Sequence, residues 1–361
     1  MKSFAVASER CAKVAATRAL DDGGTAIDAV IAGFFAAAGA SDAALFSPLQ
    51  ALVAGPGVGA RAFDGRARQP GRGLPRPRGL LEGQAVVPAA RIAVPASLAA
   101  LSLAHAYDGL LSIARLALPG IAQARRCAKR AREQVMMRVA AAGAAALRDA
   151  RIARPLLAMG GRAQGGLLSE QDLFELRPAS AAPRRIELVP QDGAPDGERD
   201  RCVLVVPWHE PETVHRPQQI VAAGDPRGVV AVLAWAPDDE GVWVPELELR
   251  APREAVVVRR GVARIRPGEP IGCPASIAIA TERDRPVLAM GLGVDRALPS
   301  GMLERVWGAR LAPAAMLRAA AQAMAAPEAV AIVRSMGKNQ MRGLTLSAEP
   351  PGGVRRRGEE R

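Results

Sequence analysis

Nucleophiles and bases are scarce in this chain, and their spacing limits the chemistry open to it. The 361 residues include three histidines, His105, His209 and His215, and four cysteines, Cys11, Cys127, Cys202 and Cys273. The cysteines are far apart and form no CxxC pair. Reduced thiols are therefore expected, rather than a zinc site or a disulfide framework. His209, Glu210, Glu212 and His215 spell HExExxxH. That is not HExxH, and the flanking prolines deny it the helical register that places two imidazoles on one face. No metal and no cofactor is expected. No GxSxG occurs, so a Ser-His-Asp triad has no nucleophile elbow. The run Gly55-Pro56-Gly57-Val58-Gly59 is followed by no Lys-Ser/Thr, which argues against a phosphate cradle. Hydroxyl side chains and guanidiniums remain, the latter able to hold a carboxylate by two parallel hydrogen bonds.

The elements that must position these groups follow from periodicity and punctuation. A short strand at the start leads into a helix stopped by Asp21-Asp22-Gly23-Gly24, and a second, Ala-rich helix opens at Thr25 with Asp28 in its first turn. Residues 46–90 are rich in Gly, Pro and Arg and read as loop with short strands. Residues 96–150 read as helical, with Ser97 as a cap and a longer basic helix from about Pro119 to Ala153. Ser169 and Asp172 spell a capping box. From 219 to 294 short β runs alternate with turn signals, Asp225-Pro226-Arg227-Gly228 among them. Helices resume at about Ser300. Helices, a β-rich half, then helices again predict an α+β fold of two stacked sheets covered by helices. The expected layout is one domain over 1–348, helix-rich in 1–185, β-rich in 186–298 and helical in 299–335, with a disordered basic tail at 349–361.

Composition narrows the function classes. The chain is 49% apolar but only 3% aromatic, and it carries a net charge of +12. Nucleic acid is not expected as a partner, because there is no aromatic platform on which bases stack. The basic stretch from Arg125 to Arg132 reads as a solvated helix face, with an acidic partner as the sharper alternative. The start, MKSFAVASERC, has no apolar stretch of signal-peptide length before charges appear, which predicts a cytoplasmic protein with no membrane span.

Several segments, in order, resemble the gamma-glutamyltransferase family of N-terminal-nucleophile hydrolases. AVASERCAKVAATRALDDGGTAIDAV (5–30) is similar to that family's strand, helix, GGNAxDAA and helix. AFDGRARQP (62–70) resembles DGRETAP, RIAVPASLAALSLAHAYDG (91–109) resembles AVPGxxAGLxxxHxxYG, and GGLLSEQDLFELRP (165–178) resembles GGxLTxxDLAxYxP. RIRPGEPIGCPASIAIATERDRPVLAMGLGV (264–294) resembles PGKRPLSSMSPTIVxxDGKPVLVxGSPGG. The resemblance implies a four-layer αββα sandwich. It implies cleavage ahead of a threonine whose free amine then serves as its own base. It also implies that Arg66 grips the alpha-carboxylate of a glutamyl substrate.

The same comparison exposes departures. Aligning Asp225 and Gly228 with SVVDxxGNAV without a gap places Gln218 at the nucleophile, and an amide has no attacking hydroxyl. Using Thr213 instead demands five extra residues before Asp225 and a proline, Pro217, near the strand start. Core strands tolerate insertion poorly and confine proline to their margins, which favours Gln218. The Ser-Ser pair of the family falls on Gly272-Cys273, and its oxyanion Gly-Gly pair on Gly291-Leu292-Gly293. The amine-contacting acids fall on 245–252, where Glu246 and Glu248 are the candidates. The combined expectation is a gamma-glutamyltransferase-like protein that has lost autocleavage and catalysis. It would act as a structural or interaction subunit, or bind a small carboxylate such as a glutamyl ligand. Self-association is the expected consequence of trimming a larger fold, since apolar surface is left bare. The alternative is an active transferase or amide hydrolase using Thr213.

Overall fold

A computed structural model describes residues 2–75, 79–188, 201–208, 217–272, 275–294, 298–308, 312–335 and 340–347. Two six-stranded antiparallel sheets face each other. The first runs β1 (Phe4–Ala7), β7 (Gln219–Gly224), β8 (Val230–Trp235), β2 (Leu49–Gly55), β3 (Gly59–Gly65), β4 (Ala179–Ala181) in spatial order. The second runs β14 (Gln340–Ser347), β13 (Glu328–Ser335), β12 (Arg285–Leu292), β11 (Ile277–Glu282), β6 (Arg201–Val205), β5 (Arg184–Glu187). A separate two-stranded ribbon pairs β9 (Val242–Val244) with β10 (Leu249–Ala251).

Alternation along each strand divides the cores. In β7, Ile220 and Ala222 join the layer between the sheets, which also holds Leu52, Val232, Ile279 and Ile332. Val221 and Ala223 point the other way, into the layer beneath the helices. Strands buried on both faces read as unbroken apolar runs rather than alternating ones.

Helices α1 (Arg10–Asp21), α2 (Ala26–Ala40), α3 (Ser97–Asp108), α4 (Ile113–Arg126), α5 (Arg130–Ala142), α6 (Ala150–Gly160) and the short α7 (Glu170–Phe174) precede the sheets' later strands, and the first of them cover the outer face of the first sheet. Helices α8 (Ser300–Gly308) and α9 (Pro313–Ala323) cover the second. The result is four layers, αββα. Helix α2 lies directly on the first sheet with α1 and α4 against it, so nearly all of its side chains are buried. Gly39 and Gly120 make the α2–α4 crossing close: a Cβ on Gly39 would stand 2.0 Å from the Gly120 carbonyl oxygen.

Polar side chains pin the helices to the far end of the first sheet. Thr25 and Asp28 form the expected capping box of α2. The same Asp28 carboxylate accepts the amides of Leu110 (2.9 Å) and Leu111 (3.1 Å). His105 belongs to this corner, its Nε2 lying 2.6 Å from the Leu111 carbonyl oxygen. Asp225 closes the β7–β8 turn by accepting the amides of Arg227 (2.9 Å) and Val229 (3.2 Å), and it also accepts the first amide of α2, Ala26, at 3.3 Å.

Four stretches differ from the sequence expectation. Residues 46–90 contain two full seven-residue strands, β2 and β3, in the interior of the first sheet. The basic helix expected from Pro119 to Ala153 is three helices. The first break falls at Ala128, whose φ of 56° no helix accommodates, and Pro119 sits inside α4 instead of starting a helix. Ser97 is the first helical residue and not the cap; its hydroxyl donates to the Leu45 carbonyl at 2.6 Å. Residues 328–335, expected helical, form β13, whose β-branched Val330 and Ile332 fill the layer between the sheets. The 349–361 tail lies outside the described residues.

Candidate functional site

Register fixes which side chains meet. Gln219 pairs with Trp235, Trp235 with Leu49, and Leu49 with Gly65, so these four lie in one row across the first sheet. Gln218 and Arg66 therefore sit one step beyond that row at the same end. Three strand spacings separate their chains, about 14 Å. This end is the candidate site, and Asp225 marks the opposite one.

Gln218 is buried, and its amide donates to the Gly293 carbonyl oxygen at 3.1 Å. Pro217 pairs with Val294, so the approach to β7 runs along the end of β12. Next to it, the Gln219 side-chain amide donates to the Glu9 carboxylate at the start of α1. Glu328 completes this corner. Burial and then the charge of Glu9 push its carboxyl above the ordinary carboxylate range.

The amides at the end of β12 are all committed within the chain. Leu292 donates to the backbone carbonyl of Ser276 at 2.9 Å, Gly293 to that of Glu328 at 2.7 Å and Val294 to that of Leu292 at 2.7 Å. Gly291 sits under Ile220, where a Cβ would come within 2.5 Å of the isoleucine methyl. Its lack of a side chain lets the two sheets approach.

Arg66 lies beneath Trp208, with its guanidinium carbon 5.4 Å from the ring centroid. Asp64 takes the Nε–Nη2 edge of Arg66, at 2.9 and 3.0 Å. Arg68 donates to the same carboxylate at 3.0 Å. All three side chains are buried, at 3%, 4% and 7% exposure for Asp64, Arg66 and Arg68. Burial raises the Asp64 pKa, but the Arg66 hydrogen bonds and both guanidinium charges outweigh it, so the carboxyl ends below its ordinary value. The loop after β10 runs alongside: Ile271 donates to the Ala67 carbonyl at 2.9 Å, and Arg68 bridges Pro270. Gly272 thus follows directly beside the arginines.

No family model and no curated protein matches the chain. Among solved structures, a cephalosporin acylase from Bacillus halodurans superposes over 96% of this chain and 96% of its own, with a TM-score of 0.69 at 14% identity. The chain has the N-terminal-nucleophile hydrolase fold. Two structures of LmbA2991 share it over 95% of this chain and 96% of theirs, with TM-scores of 0.68 and 0.64 at 13% and 14% identity. A gamma-glutamyltranspeptidase from Pseudomonas nitroreducens overlaps 50% of this chain and 67% of its own, at 20% identity and a TM-score of 0.42.

Within the N-terminal-nucleophile hydrolase fold, the described residues bring Gln218 and Gly293 into contact and set Arg66 beside Gly272 at the same end of the sheet. Gly291 is packed beneath β7. Glu248 serves the helix layer. Its carboxylate accepts the Ala131 amide at 2.9 Å and caps α5, while Glu246 is exposed. Thr213, His209, His215 and Cys273 lie outside the described residues. The sequence reading missed Asp64 and Arg68. The signal was there, since charged residues at 64, 66 and 68 alternate off the end of a strand and share one side. It also missed Asp238, the buried acid just past β8, which lies 3.2 Å from Arg253.

No helix among the described residues is long and apolar enough to cross a membrane.

Proposed function

We propose that this protein is a non-catalytic relative of the gamma-glutamyltransferases that binds a small carboxylic acid at the Arg66 end of the first sheet. The observation that carries the reading is Gln218. It is buried at the start of β7, the position where the aligned family motif has its attacking hydroxyl. Acyl transfer in this fold needs an alcohol or thiol, activated by an adjacent base, and a pair of free amides for the developing oxyanion. A glutamine amide supplies no such nucleophile. The amides of Leu292, Gly293 and Val294, where the oxyanion pair aligns, already donate within the chain. Binding is better served: Arg66 and Arg68 share the single Asp64 carboxylate, which leaves this buried cluster net positive and favours an anionic ligand beside it.

Intact mass and turnover test this together. The purified protein is expected to run as one chain of 37.6 kDa and to release nothing from a gamma-glutamyl anilide. A cephalosporin amide belongs in the same assay, since the acylase named above shares the fold. Two fragments meeting between Glu212 and Thr213, with hydrolysis that Thr213→Ala abolishes along with cleavage, would overturn the proposal in favour of the Thr213 enzyme.

A further inference from the structure

Helices α1 and α4 both rest on α2 but diverge from each other, and a groove of about 490 Å3 opens between them. Small residues make it: Ala15 and Ala19 on α1, and Ala32 of α2 at the floor. Apolar side chains stand open along its walls, with Val14 61% exposed on α1 and Leu118 58% exposed on α4. The lining extends from Cys11 to Asp22 on one side and from Arg115 to Arg126 on the other. Each wall is therefore about 17 Å long at the helical rise of ~1.5 Å per residue.

The rim is charged with one sign to spare. Asp22 pairs with Arg115 at 3.1 Å, and Arg125 pairs with Glu133 at 2.6 Å. Arg18 and Arg126 also line the groove, and neither has an ion-pair partner among the described residues. An apolar floor flanked by two uncommitted guanidiniums is the complement of an acidic amphipathic surface.

Shape selects among anionic occupants. A bilayer is flat on this scale and cannot follow a concave channel between two helices. A single small acid would cover only part of a 17 Å trough. A helix of three turns fills it, laying one row of apolar side chains between two flanking helices as the ridges-into-grooves rule requires.

We propose that the α1–α4 groove docks an acidic amphipathic helix of a partner protein, its apolar stripe against Val14 and Leu118 and its carboxylates on Arg18 and Arg126. The inference is independent of whether the Gln218 end of the first sheet is catalytic.

Fluorescence anisotropy on the full chain tests it. The probe is a labelled synthetic helix of about 18 residues with leucines at i, i+3, i+4 and i+7 and glutamates along both flanks. The expected result is saturable binding, at least about tenfold weaker for a scrambled peptide of identical composition. Arg18→Glu combined with Arg126→Glu should weaken it by a similar factor, and so should Val14→Asp. These side chains are exposed, so the thermal midpoint of each variant should match the parent. Absence of binding, equal affinity for the scrambled peptide, or unchanged affinity in both variants would each overturn the proposal. Co-sedimentation with phosphatidylglycerol vesicles is the remaining arm. If the parent sediments and Val14→Asp does not, the surface serves lipid and the proposal fails.

Discussion

The two ends of the first sheet use the same ingredients for different ends. At the far end, Asp28 and Asp225 are buried carboxylates whose oxygens accept backbone amides of α2, of the α3–α4 loop and of the β7–β8 turn. Asp28 and Asp225, with Gly228, match the gamma-glutamyltransferase motifs letter for letter, and Thr25 stands where the motif has another side chain that can cap a helix, asparagine. In the ungapped alignment the departures accumulate at the site end: Gln218 for a hydroxyl, Gly272 for a serine, a broken glycine pair at Gly291 and Gly293. A residue that satisfies a buried amide is needed whether or not the protein reacts with anything. A nucleophile is needed only for reaction. The motifs that survive here therefore report the fold, and their survival says little about turnover.

Both ends also hold an ion cluster, an acid between two cations at Asp64 and a cation between two acids at Arg227, and their solvent exposure differs. Asp64 is enclosed with Arg66 and Arg68, whereas Arg227, which bridges Asp225 and Asp108, leaves 47% of its side chain in water. The contrast breaks most visibly at Asp64. Asp64→Ala strands two buried guanidiniums and should lower stability by about 3–5 kcal/mol, the usual loss when one partner leaves a buried pair. Urea unfolding at neutral pH measures it. The same site sets a pH limb. Its folded pKa lies below the ordinary value of 3.8, so the carboxylate's contribution is present above that value and is lost as pH falls through the lowered one. Asp64→Asn should flatten that part of the stability profile. An unchanged acid limb would mean that the cluster is not intact in solution.

The far end should give way by less. Asp225→Ala frees Arg227 to water and to Asp108, so its loss comes from the buried amides of Ala26 and Val229. The turn lines an open surface pocket, so water can reach the amides the carboxylate leaves, and a loss of about 1–3 kcal/mol in all is expected. A fall in urea midpoint smaller than that of Asp64→Ala upholds the ranking, and the reverse order would show that the turn, and not the buried ion cluster, limits stability.

The sequence was legible where local signals coincide with tertiary ones. The Thr25–Asp28 and Ser169–Asp172 capping boxes sit where their letters place them. The β7–β8 turn falls on Asp225–Gly228, with Gly228 at a φ of 88°. The β11–β12 turn falls on Arg283 and Asp284, both at positive φ. It was least legible in β2, whose seven residues are all buried and so carry no alternation. Flanking Gly and Arg outweighed the strand's own apolar run. Pro119 misled for the opposite reason, because it marks a helix start in isolation but α4 tolerates it within its packed length. At the site, Arg66 was visible from its motif. Its partner Asp64 was not, because nothing in the resemblance assigns the neighbouring acid a grip on the arginine.

The smallest effect concerns a thiol, and it reports on the site end without disturbing the fold. Glu9 accepts from Gln219 through one oxygen, and its other oxygen lies 3.5 Å from Cys11 Sγ. Burial first, then the Glu9 charge, pushes the Cys11 thiol up to about 11. At pH 8 about one Cys11 in a thousand is then ionised, and the thiolate is the species that reacts. Cys127 stands exposed just past α4, and Cys202 is buried against Thr281 at 3.1 Å. Iodoacetamide at pH 8 should therefore alkylate Cys127 well before Cys11 or Cys202, as peptide mass mapping over time would reveal. Glu9→Gln removes the neighbouring negative charge and should speed Cys11 labelling several-fold while leaving Cys127 unchanged. Equal acceleration at both thiols would mean that the substitution loosens the helix layer generally. No acceleration at Cys11 would mean that burial alone holds its proton, and that Glu9 is committed to Gln219.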